Sequence, residues 1–332
     1  MSNREIIAEN LVKRYGDFAA VNDVSFRVGS GEIFGFLGPN GAGKSTTVSM
    51  LTTRTLPTQG KATVGGFDVE RQSADVRRLA GVALQEIGLD PLMKSMELLT
   101  IQCQLFGMPR KAAVMRAKYL LEVVKLTDTA TTQRPVGKYS GGMRRRLDLA
   151  MALAHEPAIL FLDEPTTGLD PMSRRDIWTE VRRLNRELGI TIFLTTQYLE
   201  EADQLADQIA IITNGVIAAE GKPADLKAQM GGDAINLSFG DGATVERARA
   251  ELSDMATRTQ IDRDILRLYL ANAAAAVPAV VNRLQEAGIP PLSLSLTQPT
   301  LDDVFLKVTG QRFSSDEAEP GEKAAGKKDK AA

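Results

Sequence analysis

The chain has 332 residues, 43% of them apolar and 25% charged, with 40 basic and 42 acidic side chains. A length of that order suits about two domains, and the balance excludes collagen-like, disulfide-scaffold and wholly disordered chains. A formal net charge of −2 offers no bulk positive field to nucleic acid or anionic lipid, and no apolar run reaches the roughly 18 residues that a membrane span needs.

One cysteine, Cys103, allows no intramolecular disulfide and fits a reducing compartment. The start, Met1 to Glu5, leads into a short mixed segment instead of a secretory apolar stretch. The protein is therefore expected in the cytoplasm.

In chain order, short apolar runs stand at 33–37, 158–162 and 191–194, which predicts strands buried on both faces. Helix-period stretches at 143–154 and 173–188 lie between them. Strands alternating with helices imply an α/β fold with a mostly parallel sheet. Near 208–221, two apolar runs flank Asn214-Gly215, a strong hairpin signal. Gly221-Lys222-Pro223 then punctuates the chain. Beyond it the pattern predicts strand 234–239, helix 244–252, strand 265–270, helix 274–287, strand 292–296 and helix 301–308, a small α+β domain without a chemical motif. In the last helix Leu301, Val304, Phe305 and Val308 form one apolar stripe, which closes its own core or forms a seam with a second subunit. The final stretch, Ser314 to Ala332, has no large apolar residue and is expected to be disordered. The domains are thus set at 1–222, 223–313 and a tail, 314–332.

Gly38-Pro39-Asn40-Gly41-Ala42-Gly43-Lys44-Ser45 fits a phosphate-binding loop, with a strand before it and a helix after it. Glycines let successive N–H groups curl round phosphate oxygens, and the helix N-terminus adds positive potential. Lys44 would reach the β- and γ-phosphates, and the Ser45 hydroxyl would ligate Mg²⁺. The strand at 158–162 runs into Asp163-Glu164. Ligands collect at the carboxyl ends of parallel strands, so Asp163 is placed to hold Mg²⁺ and Glu164 to orient or deprotonate a water.

Tyr139-Ser140-Gly141-Gly142-Met143 resembles the signature motif of ATP-binding cassette (ABC) proteins. Gln85 resembles their Q-loop glutamine, Gly168-Leu169-Asp170 their D-loop, and Tyr15 their adenine-stacking aromatic residue. The resemblance implies a cassette with a mostly parallel core sheet, an antiparallel β subdomain and a helical subdomain, followed here by a small accessory domain. It implies ATP and Mg²⁺ as ligands. Nucleotide contacts fall on Tyr15, Gly38, Asn40, Gly41, Gly43, Lys44, Ser45, Thr46, Ser140, Gly141, Gly142 and Asp170, metal contacts on Ser45, Gln85 and Asp163, and hydrolysis on Glu164, Gln197 and Gln85. It also implies a homodimer in which the signature of one cassette meets the γ-phosphate held by the other.

The family's switch position usually holds histidine, and here it is Gln197, which donates a hydrogen bond but carries no proton near neutral pH. With Tyr198-Leu199-Glu200-Glu201-Ala202-Asp203, Tyr139 to Asp148 and Pro299-Thr300-Leu301-Asp302-Asp303-Val304-Phe305-Leu306, that glutamine is similar to the daunorubicin/doxorubicin-resistance type of ABC ATPase. Such a protein is the motor of an exporter, on the cytoplasmic face of the membrane, docked on a separate polytopic permease through part of segment 86–110, which holds Leu89, Leu92, Met93, Leu98, Leu99 and Phe106. Two alternatives stay open, a soluble ABC ATPase acting on ribosomes or DNA and an ATP-gated regulatory dimer with little turnover, but the absence of a basic footprint argues against nucleic acid.

Three further expectations concern single residues. His155, the only histidine, is structural and suits the C-terminal dipole of the signature helix. Arg144, Arg145 and Arg146 spread round a helix and make a solvated face with at most one nucleotide or interdomain contact among them. Cys103 is a small buried or half-buried apolar residue.

Overall fold

The computed structural model describes residues 4–230, 233–270 and 272–310; the expected disordered tail at 314–332 lies outside them. The chain divides into two compact units, one running to Glu220 and one beginning at Gly221.

The first unit runs β1 (Ile6–Tyr15), β2 (Phe18–Val28), β3 (Ile33–Leu37), α1 (Lys44–Leu51), β4 (Gln59–Val64), β5 (Phe67–Asp68), α2 (Ser73–Leu79) and β6 (Ala80–Ala83). Four helices follow, α3 (Ser95–Leu105), α4 (Arg110–Val123), α5 (Thr129–Gln133) and α6 (Gly141–Ala152). The unit closes with β7 (Ile159–Asp163), α7 (Pro171–Leu188), β8 (Thr191–Thr196), α8 (Leu199–Leu205), β9 (Gln208–Thr213) and β10 (Val216–Gly221). It is an α/β fold. The central sheet has the order β10-β9-β3-β8-β7-β6, and β9, β3, β8, β7 and β6 are mutually parallel. A second, antiparallel sheet has the order β2-β1-β4-β5.

The continuous apolar runs have a physical reason. Side chains alternate across a strand, and both faces of this sheet are covered. On one face Ile33, Leu160, Leu162, Ile192 and Leu194 join the core of α3, α4, α6 and α7. On the other, Phe34, Phe36 and Phe193 meet Phe26 of the antiparallel sheet and Phe161 meets Phe193, with ring centroids 5.4 to 5.7 Å apart. The strands carry Phe on one side and Leu or Ile on the other, so neither face reads as polar.

Helix α7 follows from its sequence. Asp170 caps it, Pro171 opens it, and Gly189 ends it at φ +62°. Ile177, Trp178, Val181 and Leu184 form its buried stripe. The hairpin between β9 and β10 turns on Asn214 and Gly215, at φ +50° and +78°, as a two-residue turn matched to strand twist requires.

The second unit runs α9 (Pro223–Ala228), β11 (Asp233–Ser238), α10 (Gly242–Glu251), β12 (Arg258–Asp262), β13 (Ile265–Leu270), α11 (Ala273–Glu286), β14 (Ser293–Thr297) and α12 (Leu301–Thr309). Its antiparallel sheet has the order β12-β13-β11-β14, packed against α10 and α11. Strand β12 was not expected. It is an edge strand with Arg258, Gln260 and Asp262 exposed, so too little of it is buried to leave an apolar signature. In α12, Leu301, Val304 and Phe305 are buried within the chain and only Val308 stays outside, 37% exposed. The stripe therefore fills an intramolecular core and leaves little face for a seam. Among the described residues no helix is long and apolar enough to cross a membrane.

Candidate active site

The parallel strands deliver the candidate residues to one end of the sheet. Loop 38–43 follows β3, Gln85 follows β6, Glu164 follows β7, and Gln197 follows β8. The ends of β3 and β8 are tied together, since Gly38 N–H donates to the Thr196 carbonyl at 3.2 Å.

Two glycines of the loop are steric requirements. A Cβ on Gly38 would lie 2.3 Å from the Ile212 carbonyl oxygen. Gly43 sits at φ +108°, and a Cβ there would lie 2.5 Å from the Ala20 carbonyl oxygen. Gly43 is also the residue before α1, so the helix N-terminus opens on the loop. Asn40 and Gly41 are exposed at the tip, and Thr46 is half-buried in the first turn of α1.

The Lys44 ammonium is buried. It donates to the carbonyls of Gly38 at 2.8 Å and Pro39 at 3.1 Å and pairs with Glu164 Oε1 at 3.1 Å. Ser45 Oγ donates to Asp163 Oδ1 at 3.2 Å, and Thr195 Oγ1 donates to the same oxygen at 2.6 Å. A hydroxyl and a carboxylate side by side are the all-oxygen donors that a hard cation prefers, so Ser45 and Asp163 fit Mg²⁺.

Glu164 has φ +48°, a left-handed conformation that costs a non-glycine residue about 1–2 kcal/mol. Its N–H donates to Thr195 Oγ1 at 3.0 Å and to the Thr195 carbonyl at 3.2 Å. Its Oε2 accepts from Gln85 Nε2 and Thr167 Oγ1, both at 3.2 Å. Loop 38–45, Gln85, Asp163 and Glu164 thus form one bonded cluster, and Gln197 stands half-buried one residue beyond Thr196.

Other candidates form a second group. Ser140 caps α6, its Oγ accepting from Met143 N–H. A Cβ on Gly142 would lie 3.1 Å from Ser173 Oγ, and one on Gly141 3.2 Å from Leu169, so the start of α6 lies against the turn at Asp170. The Asp170 carboxylate accepts from Ser173 Oγ at 2.6 Å and from the N–H groups of Ser173 and Met172. Those bonds, Ser173's first, hold it below the usual carboxylate range. Among the described residues no hydrogen bond joins segment 140–142 to loop 38–45. Tyr15 ends β1 with an exposed ring and Lys13 Nζ 5.2 Å from its centroid.

Of the three arginines, Arg144 is exposed and Arg146 half-buried, whereas Arg145 is the one drawn into contact; it is buried, and its guanidinium donates to the carbonyls of Leu84, Asp163 and Pro165. A signal was present, since Gly142, Arg145, Leu149 and Ala152 share one helical face and all are buried. His155 lies beyond the end of α6, stacked on Phe106 at 4.0 Å with Nε2 3.1 Å from the Ala80 carbonyl oxygen. Burial, the largest influence, pulls its pKa down, and its contacts with Phe106 and Ala80 make it a structural residue, as expected, without a role for the helix dipole. Cys103 is buried, and desolvation pushes its thiol pKa up. Thr195, partner to both Asp163 and Glu164, carried no sequence signal.

A glycine loop, an oxygen pair for a cation and a buried acid at the ends of parallel strands define a nucleotide-hydrolysing P-loop protein. Residues 21–167 match the family model for the ABC transporter domain, and residues 221–309 match the one described as ATP-binding protein DrrA1-3-like, C-terminal domain. The daunorubicin resistance ATP-binding protein DrrA3 of Streptomyces coeruleorubidus is 43% identical over 93% of this chain and 97% of the relative. The Nod factor export ATP-binding protein I of Burkholderia lata is 40% identical over 92% and 96%. Among solved structures, the post-hydrolysis dimer of the ATP-binding cassette MJ0796 with ADP and Pi matches at a TM-score of 0.59 and 25% identity, covering 65% of this chain and 98% of that one. The chain belongs to the ABC ATPases, in the family of daunorubicin/doxorubicin resistance ATP-binding proteins.

Proposed function

We propose that two copies of this chain bind two ATP at their interface and drive a separate membrane permease that exports hydrophobic compounds. One observation carries the dimer. Ser140 and the two glycines after it present a capped helix N-terminus, suited to an anion, yet have no hydrogen bond to the phosphate loop of their own chain among the described residues. In the related cassette a dimer holds ADP and Pi.

Within each site Lys44 exchanges its Glu164 partner for the β- and γ-phosphates, and the loop N–H groups hold the β-phosphate. Ser45, Asp163 and Gln85 would hold Mg²⁺, which would supply a Lewis acid to withdraw charge from the phosphate oxygens. Glu164, released from Lys44, takes a proton from the attacking water as the bond between the γ-phosphorus and the bridging oxygen breaks. Gln197 and Gln85 donate hydrogen bonds to the γ-phosphate and the water, and Tyr15 stacks on adenine. Asp170 faces the partner cassette.

The permease docks at segment 86–110. Leu98 and Leu99 are consumed by the core, whereas Leu92 and Leu105 are 84% and 77% exposed. Leu89, Gln102 and Phe106 of the same segment line a cavity of about 660 Å³ together with Leu84, Met151 and His155. The relatives' names include drug resistance and Nod factor export, so the permease selects the compound. We place the cassette at 1–222, on the cytoplasmic face of the membrane, and assign residues 223–313 a regulatory role.

Purification of the tagged chain from native membranes in mild detergent tests this reading. A polytopic membrane protein in comparable amount, with retained Mg²⁺-dependent ATPase activity, is expected. Recovery of ribosomes or soluble partners alone would contradict it.

A further inference from the structure

We propose that Arg145 is a positioning residue for hydrolysis, one that fixes the backbone on both sides of Glu164 and at the entry to Gln85 from its seat on the signature helix. The inference rests on the role given to Glu164 above.

Its guanidinium reaches three chain segments. Nε donates to the Pro165 carbonyl at 2.7 Å and Nη2 to the Asp163 carbonyl at 3.0 Å. These carbonyls flank Glu164, which is held in a left-handed conformation that a β-strand end does not adopt unaided. Nη1 donates to the Leu84 carbonyl, the residue before Gln85, and to Asp148 Oδ2 at 3.1 Å. Asp148 is one turn along α6 and orients the fork.

The planar fork with several N–H groups suits this task, because a lysine is a point charge and cannot span three carbonyls in fixed directions. The same helix begins at Ser140. A displacement of α6 would therefore be felt at once on both sides of Glu164 and at Gln85, with the phosphate loop left in place. Burial raises Asp148 to about 6 and lowers Arg145, and the charge of each partner, 3.1 Å away, opposes the shift of the other.

Three variants test this in the full-length chain: Arg145→Lys, Arg145→Met combined with Asp148→Asn so that no buried acid is left alone, and Asp148→Asn by itself. Steady-state ATPase assays give kcat and KM, calorimetry gives ATP affinity, and thermal melting identifies the folded variants. Misplacing a catalytic group costs on the order of 100-fold, so kcat is expected to fall by about that factor in the Met/Asn variant. Arg145→Lys should rescue part of the loss, and Asp148→Asn alone should cost less than either. KM and ATP affinity should stay within about threefold, since a group that acts only on the transition state leaves ground-state binding alone.

Equal kcat in folded Arg145→Lys and wild type would overturn the proposal. So would ATP affinity falling in step with kcat, or Asp148→Asn costing more than Arg145→Lys. MgATP-dependent dimerisation in the Glu164→Gln background separates the two levels of argument. If Glu164→Gln alone fails to dimerise, the function proposed above fails. If it dimerises and Glu164→Gln with Arg145→Lys does not, Arg145 serves the signature surface and the positioning role is wrong.

Discussion

Lys44 Nζ lies 3.1 Å from Glu164 Oε1, with both side chains 4% exposed. The residue proposed to bind phosphate and the residue proposed to activate water thus neutralise one another inside the protein. Removing one member of a buried pair strands the other charge, which typically costs about 3–5 kcal/mol.

The two members differ in what they keep. Lys44 retains the carbonyls of Gly38 and Pro39, whereas Glu164 retains only uncharged donors from Gln85 and Thr167. Lys44→Met should therefore destabilise the nucleotide-free protein by about 3–5 kcal/mol, and Glu164→Gln by no more than about 1–2 kcal/mol. Urea denaturation of both variants measures the difference, and equal losses would contradict the argument.

Gln197 carries no titrating group near neutral pH. Gln197→Ala should lower kcat, by about 100-fold to 1000-fold for a lost charge-stabilising donor, while leaving the shape of the pH–rate profile unchanged. Gln197→His should add a limb near the ordinary histidine pKa, about 6.5. A pH–rate series on the three proteins decides, and a profile that changes shape in Gln197→Ala would show that Gln197 is not the neutral donor supposed here.

Glu201 is fully buried, and its Oε1 accepts from Thr166 Oγ1 at 2.8 Å and Trp178 Nε1 at 2.9 Å. Burial, the largest influence, raises its pKa above 4.5. A carboxyl with a raised folded-state pKa contributes stability that is complete below its unfolded pKa and is lost as the pH rises through the folded value. Glu201→Gln keeps both accepted bonds and cannot ionise. Its Tm should match or trail wild type at about pH 5 and exceed it at about pH 8; a Tm difference that does not change with pH would refute the assignment.

Leu92 and Leu105 are exposed on the segment assigned to the permease. Leu92→Glu and Leu105→Glu should leave stability within about 0.5 kcal/mol, as exposed substitutions do, and leave ATP affinity unchanged. Co-purification of the membrane subunit should drop. Unchanged recovery in the double variant would place the docking surface elsewhere.

The elements legible in the sequence were those whose signal is local. The strand–glycine loop–helix order at 33–51 and the Asn214-Gly215 turn carry their chemistry in adjacent residues, and the signature segment at 139–143 does the same. What was not legible depends on approach between distant segments. The helical face shared by Gly142, Arg145, Leu149 and Ala152 could have singled out Arg145 among the three arginines, but its partners, the carbonyls of Leu84, Asp163 and Pro165, come from distant segments. His155 looked like a dipole partner until Phe106 and Ala80 enclosed it. Strand β12 was hidden by its polar edge, which keeps sheets from pairing with one another.

In the proposed dimer ATP lies between loop 38–45 of one copy and segment 140–142 of another. Sedimentation velocity of Glu164→Gln, which should bind ATP without hydrolysing it, tests this most directly. We expect a monomer without nucleotide and a dimer with saturating MgATP, reverting to monomer when Ser140→Arg blocks the signature surface. A monomer under both conditions, with ATP bound, would contradict the account.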